Sequence, residues 1–417
     1  MKKSKDIVFL CQFFYPEFVS SSLLPYQTAK RLVEEDFTVD VYCGYPKEYT
    51  RENRKIKKNE VVDDINIYRK KYIQLGRNGF LSRLINYFSF TFVILLNLLK
   101  FRKYKMMYVY SNPPILPIVA ILANILFKTK IVFVAYDLYP EIGQRTGVIG
   151  ETGIIVWTMQ FINRLLFSKA TRVIALSQDM KKFIIKNRNI SSNKVVVIPN
   201  WATENYNYKK AKINSDFQEI RQKYSVIVSY FGNMGTAQDL ETLMNVVADK
   251  NMENAPVAFL FAGHGNKKEK ISAFISKNKL RNAYVFDYLS GEDFNDALFI
   301  SDLFVVSLEK GISGLAVPSK TYSYYQAEKP VVSIMDLDTD IAKEISKYQA
   351  GIAVNNGDSD RLTEFIISLV NQSSKIDSLK ENVKKLFINN YQKDKQLEKY
   401  VELTKEILLE AQRNVRK

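Results

Sequence analysis

Short apolar runs rich in Val, Ile, Phe and Tyr recur along this sequence, with stretches of helical period between them. In the first half they are 7–11, 38–43, 107–110, 131–135, 172–176 and 195–198. In the second half they are 227–231, 257–261, 284–286, 303–306, 331–334 and 351–354. Continuous apolar runs of this length, separated by helices, predict parallel strands covered on both faces. Two successive sets predict an α/β protein with two doubly wound, Rossmann-like domains.

The length fits that reading, because 417 residues exceed one ordinary core and suit two domains of about 200 residues. The polar stretch 202–216 (ATENYNYKKAKINSD) lacks apolar periodicity and is the expected boundary. Leu397, Tyr400, Val401, Thr404 and Leu408 predict an amphipathic helix over 396–412 that must pack on something. Segment 80–99 (FLSRLINYFSFTFVILLNLL) is apolar around most of a helix and runs into Lys100, Arg102, Lys103 and Lys105. Arg83, Asn86 and Asn97 interrupt it, leaving an apolar core from Phe88 to Leu96 too short to span a bilayer. The basic flank favours a helix lying at a membrane interface; a helix buried against the first sheet is the alternative.

Charge and cysteines narrow the partners. A formal charge of +16 fits an anionic membrane surface or polyanionic small substrates, or simply a lysine-rich solvated surface. No zinc-finger, RNP or basic-zipper pattern is present, so no nucleic-acid partner is expected. Cys11 and Cys43 have no framework spacing and read as small buried side chains in a reducing compartment. The basic start Met1–Asp6 precedes an apolar run of only 7–11, which predicts a strand rather than a signal peptide. A cytoplasmic protein is expected.

Ligands of open α/β sheets bind beyond the carboxyl ends of the strands, so the residues after each run carry the candidate chemistry. Gly232-Asn233-Met234-Gly235 follows 227–231 and opens a helix; such a turn lets backbone amides approach a phosphate, though a tight connection has the same pattern. Gly263-His264-Gly265 follows 257–261, and its position favours ligand contact by the chain's single histidine. After 303–306 come Glu309, a glycine loop, and Ser319-Lys320 at an expected helix start, a set able to hold a diphosphate. In the first half, Glu17 and Ser20–Ser22 follow the first run, and Asp137 and Glu141 follow 131–135. The two carboxylates are candidates for proton transfer or for binding hydroxyls; helix capping is the structural alternative for Asp137. No metal-ligand constellation is evident, so no metal is expected; Asp336-Leu337-Asp338 and Asp338-Thr339-Asp340 come nearest to one.

The stretches FFYPE (13–17), DLYPE (137–141), VIPNW (197–201), YFGNMGTAQDLETL (230–243), FAGHG (261–265) and VPSKTYSYYQAEKPVV (317–332) occur in the order found in one family. Together they resemble retaining glycosyltransferases of family 4 with the GT-B fold, in the branch that adds amino sugars or deoxysugars during O-antigen and capsule assembly. The resemblance implies an acceptor domain over 1–203, a nucleotide-sugar domain over 204–390 facing it across a cleft, and a final helix, 391–417, returning to the first. It implies a UDP-sugar donor, no cofactor or essential metal, and a lipid-linked saccharide or glycan acceptor at the inner face of the plasma membrane. On the donor side it places Gly232, Asn233, Gly235, Gln238, Gly263, His264, Gly265, Ser319, Lys320 and Ser323. On the acceptor side it places Glu17, Ser21, Asp137 and Glu141, with Asp137, Lys320 and Glu309 as catalytic candidates.

Several positions depart from the family pattern. The Glu-x7-Glu pair of many members falls on Leu315 and Ser323, and their Arg and Lys after the first strand of the second domain fall on Asn233 and Gln238. Lys320 is left as the cation for the donor diphosphate, and Glu328 stands where the family has glycine. The missing glutamates keep open a second reading, a non-catalytic subunit that stabilises or recruits a partner glycosyltransferase.

Overall fold

All twelve expected strands form, and they build two parallel sheets. The computed structural model describes residues 5–46, 56–76, 79–203 and 213–415. The chain divides into one unit of 1–203, 314–317 and 393–417 and a second of 204–313 and 318–392. The stretch 202–216 read as a boundary lies largely outside the described residues.

The first unit contains β1 (Lys5–Leu10), β2 (Val39–Gly44), β3 (Asn59–Val62), β4 (Ile65–Lys70), β5 (Tyr104–Tyr110), β6 (Lys130–Ala135), β7 (Arg172–Ala175) and β8 (Val195–Val197). Their order is β3-β4-β2-β1-β5-β6-β7-β8, parallel except for the β3–β4 hairpin. That hairpin is absent from the sequence reading. Its turn places Asp63 and Asp64 at φ 45° and 58°, a left-handed pair that Asp tolerates as Gly does. β4 alternates buried and half-buried positions instead of forming a continuous apolar run, so the period used to find the other strands passes over it. The one polar side chain at its buried positions, Arg69, is neutralised by Glu60 at 2.6 Å, with a further donation to the Tyr15 carbonyl at 2.7 Å.

Helix Lys393–Val415 packs on this unit, with Leu397, Tyr400, Val401 and Leu408 in the same core as β1, β2 and β5. The Tyr108 hydroxyl meets Thr404 Oγ1 at 2.8 Å inside it. Cys11 and Cys43 are buried free thiols.

The second unit contains β9 (Val226–Asn233), β10 (Val257–His264), β11 (Ala283–Phe286), β12 (Leu303–Ser307), β13 (Val331–Ile334) and β14 (Gly351–Val354). Their order is β11-β10-β9-β12-β13-β14, all parallel. Strand order reverses between β9 and β12 here and between β1 and β5 in the first unit. A doubly wound sheet opens its ligand crevice at such switch points.

Candidate functional site

At the tips of β9 and β10 the two glycine turns lie side by side. Gly232 pairs with Gly263 and Asn233 with His264, and the Met234 amide donates to the His264 carbonyl at 2.7 Å. Gly263 has φ 144°, and a Cβ there would sit 1.9 Å from the Gly232 carbonyl oxygen. Close approach of backbones therefore accounts for Gly263 without any ligand. Gly263→Ala is expected to destabilise the protein by about 3 kcal/mol or more through clash and strained backbone, seen as a lower midpoint in denaturant unfolding.

Gly232, at φ 112°, has a different neighbour. Its missing side chain faces Lys320, whose Nζ would lie 3.8 Å from a Cβ built there. Lys320 opens the helix Lys320–Gln326. Part of its stem meets solvent, but Nζ is buried with no hydrogen-bond partner. It rests 3.6 Å from the centroid of the Tyr230 ring, and burial pulls its pKa down to about 7. A cation over an aromatic face is only partly compensated for lost hydration. An anion arriving beside Gly232 would complete the compensation.

The turns around Gly232 are braced. The Gly235 amide donates to Gln238 Oε1 at 3.0 Å, so the Gln238 side chain shapes the turn. The Glu309 amide donates to the Ala237 carbonyl at 2.8 Å. The Glu309 carboxylate pairs with Lys267 Nζ at 2.5 Å, and Lys267 also donates to the Gln238 carbonyl at 2.6 Å. Glu309 thus stands at the site as the anchor of a strut, its charge neutralised by Lys267. Asn356 Nδ2 ties Asp239 to the Leu308 carbonyl, both at 2.8 Å, joining the turn after β12 to the helix after Gly235.

Around this frame, His264 is exposed with its ring 5.7 Å from that of the exposed Tyr288. Ser319 is exposed beside Lys320, and Ser323 is half-buried one turn further on. Gly232, Asn233, Gly235, Gln238, Gly263, His264, Gly265, Glu309, Ser319, Lys320 and Ser323 are all on the second unit, at the carboxyl ends of its strands and the helix start that follows β12. Tyr230, Lys267, Tyr288 and Asn356 were missed by the sequence reading.

The remaining candidates belong to the first unit. Asp137 follows β6; its amide and that of Tyr136 donate to Ser111 Oγ at 3.1 and 3.0 Å. It does not cap helix Glu141–Arg145, whose N-cap is Pro140 with no side-chain bond. Asp137 lines a small cavity with Ser111, Tyr139, Asn163 and Arg188, and although a little of the residue reaches solvent, burial raises its carboxyl to about 6. Glu141 is engaged by Arg188 through both oxygens, at 2.8 and 2.5 Å. Glu17 is buried, with its carbonyl accepting the Ser22 hydroxyl, and Ser21 is half-buried in the first turn of helix Ser20–Glu34.

The family departures also acquire a local meaning. Leu315 is buried, and its carbonyl accepts the Leu138 amide at 2.9 Å. Glu328 has φ 54°, a left-handed position that glycine occupies without strain.

Sequence comparison agrees with this architecture. The model of Glycosyltransferase Family 4 matches residues 25–203, and that of Glycosyl transferases group 1 matches residues 225–372. A curated relative, the probable glycosyltransferase WbjE of Pseudomonas aeruginosa, is 25% identical over 304 residues, covering 72% of this chain and 74% of its own. Among solved structures, Anabaena HepE in complex with UDP-glucose superposes with TM-score 0.69 at 15% identity, over 96% of this chain and 99% of its own. WaaG, a glycosyltransferase involved in lipopolysaccharide biosynthesis, gives TM-score 0.66 at 14% identity over 95% and 99%. With one glycosyltransferase model on each of its two Rossmann-like domains, the chain is a glycosyltransferase of the GT-B fold.

Proposed function

We propose that the chain transfers a sugar from a UDP-sugar, with retention and without a metal, to a lipid-linked saccharide or glycan in bacterial surface-polysaccharide synthesis. The observation that carries this is the partnerless Lys320 ammonium held behind Gly232 at the switch point of the second sheet. A donor diphosphate there would accept from Lys320, whose Nζ has no hydrogen-bond partner. Charge developing on the leaving group would then meet donors already in place. Support for uridine comes from HepE, whose structure holds UDP-glucose. Support for a surface-polysaccharide acceptor comes from WaaG, which acts in lipopolysaccharide biosynthesis. An N-acetylated amino sugar or deoxysugar is proposed from the GNMG and VPSK stretches.

Asp137 is proposed to bind an acceptor hydroxyl and take its proton, a role suited by a carboxyl near 6. The protein is proposed to work at the cytoplasmic face of the plasma membrane, where lipid-linked acceptors lie.

A thermal-shift screen against UDP-, GDP-, dTDP- and CMP-sugars tests the donor. A ligand that binds only the native state raises its melting point, by an amount corresponding to about 2.7 kcal/mol at one hundred times Kd. UDP-sugars alone are expected to produce the shift. A shift with none of the four classes would overturn the donor assignment.

A further inference from the structure

Helix Phe80–Leu95 and the turn Leu98–Lys103 that follows it present two opposite faces. Asn86, Phe90 and Ile94 are buried, whereas Leu81, Phe88, Phe92, Leu96 and Leu99 are exposed along one stripe on the other side. The polar interruptions noted in the sequence do not break that stripe. Asn86 binds both backbone groups of Leu75, at 2.8 and 2.9 Å, and Asn97 donates to the Val93 carbonyl at 2.9 Å. They are internal links.

The stripe is not alone. Helix Pro117–Phe127 packs against both the turn Leu98–Lys103 and helix Ile154–Lys169. It exposes Ile125 and Leu126. Helix Ile154–Lys169 exposes Ile154, Trp157 and Phe161 at helical spacing, with Trp157 62% exposed. The Trp157 and Phe161 rings stack on each other at 5.7 Å, 10° apart. Most of the exposed large apolar side chains among the described residues lie on these three neighbouring elements. A monomer in water rarely leaves so much apolar surface together.

Charge decides what covers it. Segments 80–103, 117–128 and 154–169 contain seven Lys and Arg and not one Asp or Glu. Lys100, Arg102, Lys128 and Lys169 lie at or just beyond the carboxyl ends of the elements, with Arg164 on the same face as Trp157 and Phe161. A second copy of the same face would bring like charges together. An anionic lipid surface would match the cations and take up the apolar stripe, with Trp157 at headgroup depth.

We propose that these three helices form one platform that docks the first unit on an anionic bilayer. The platform deepens the reading of a membrane-held acceptor and rests on that reading for its purpose. No described helix is long and apolar enough to cross a membrane, so the contact is interfacial.

Vesicle flotation with the full chain tests the platform, comparing phosphatidylcholine with phosphatidylcholine containing phosphatidylglycerol, at low and high salt. Trp157 reports directly, because the other tryptophan, Trp201, is buried at 2% exposure. Binding only to the anionic vesicles, weakened by salt and accompanied by a blue shift in emission, is expected. Trp157→Ala combined with Phe161→Ala should lower partitioning roughly tenfold or more, as should Lys100→Glu with Arg102→Glu. Both double variants should keep the parent's melting point and its UDP-sugar shift, since none of the four residues packs in a core.

Undiminished partitioning in both double variants, or no partitioning of the parent, would overturn the platform. So would a lipid-free dimer that the Trp157/Phe161 variant dissolves, which would assign the face to a second copy. Vesicle binding by a parent protein that ignores UDP-sugars would instead sink the donor reading and leave the platform standing.

Discussion

Lys320→Met is expected to weaken UDP-sugar binding roughly 10- to 100-fold while raising the melting point of the unliganded protein near neutral pH. The first effect follows from removing one charge-assisted hydrogen bond to the diphosphate, worth about 1.5–3 kcal/mol. The second follows from relieving a buried cation that has only the Tyr230 ring for company. Folding lowers the Lys320 pKa from the ordinary lysine value to about 7. Between pH 7 and the ordinary value the unfolded chain holds the extra proton, so the parent's stability rises with pH across that window. Below pH 7 the penalty is fully present, on the order of a few kcal/mol. The melting difference between variant and parent should therefore be widest at pH 6–7 and shrink towards pH 10.

Ligand binding reverses that linkage. A diphosphate beside Nζ favours the charged form, so binding above pH 7 draws in a proton. Affinity should fall about tenfold per pH unit above 7, with proton uptake visible in calorimetry across buffers of different ionisation enthalpy. A Lys320→Met protein that binds UDP-sugars as tightly as its parent would remove the anion assignment.

Much of this was legible beforehand, and what was not has physical causes. Strands buried on both faces betray themselves as unbroken apolar runs, so all six strands of the second unit were found within two or three residues of their ends. The β3–β4 hairpin escaped because an edge strand alternates and an Asp63-Asp64 turn lacks glycine. Gly232 and Gly263 look alike in sequence, but the first leaves room beside a cation and the second fits under a carbonyl. Only coordinates separate the two. Glu309 read as a catalytic candidate, and its ion pair was not legible because Lys267 is 42 residues away in sequence. Tyr230 looked like one more apolar strand residue; its part in holding Lys320 depends on a helix start ninety residues later. The apolar segment 80–99 was read as an interfacial helix with burial as the alternative; one of its faces is buried and the other is exposed.

Asp137→Asn is expected to lower turnover by about 10²–10⁴-fold if the carboxylate takes the acceptor proton, with the UDP-sugar thermal shift unchanged. Burial raises this carboxyl to about 6, above its value of about 3.9 in an unfolded chain. Stability from that raised pKa is fully present below pH 4 and is lost as pH rises through 6, so Asp137→Asn should melt higher than its parent at pH 7–8. The same ionisation sets the acid limb of activity, because only the carboxylate can accept a proton. With Lys320 titrating near 7 in the free enzyme, kcat/KM for the donor should rise through about pH 6 and fall beyond about pH 7. In kcat the alkaline limb should move upward, since the bound diphosphate holds Lys320 charged. Loss of the acid limb in Asp137→Asn, with the alkaline limb kept, would separate a proton acceptor from a residue that merely orients the acceptor. An unchanged profile with only a raised acceptor KM would leave Asp137 as a binding group, and the proton would have to be taken by another atom of the site.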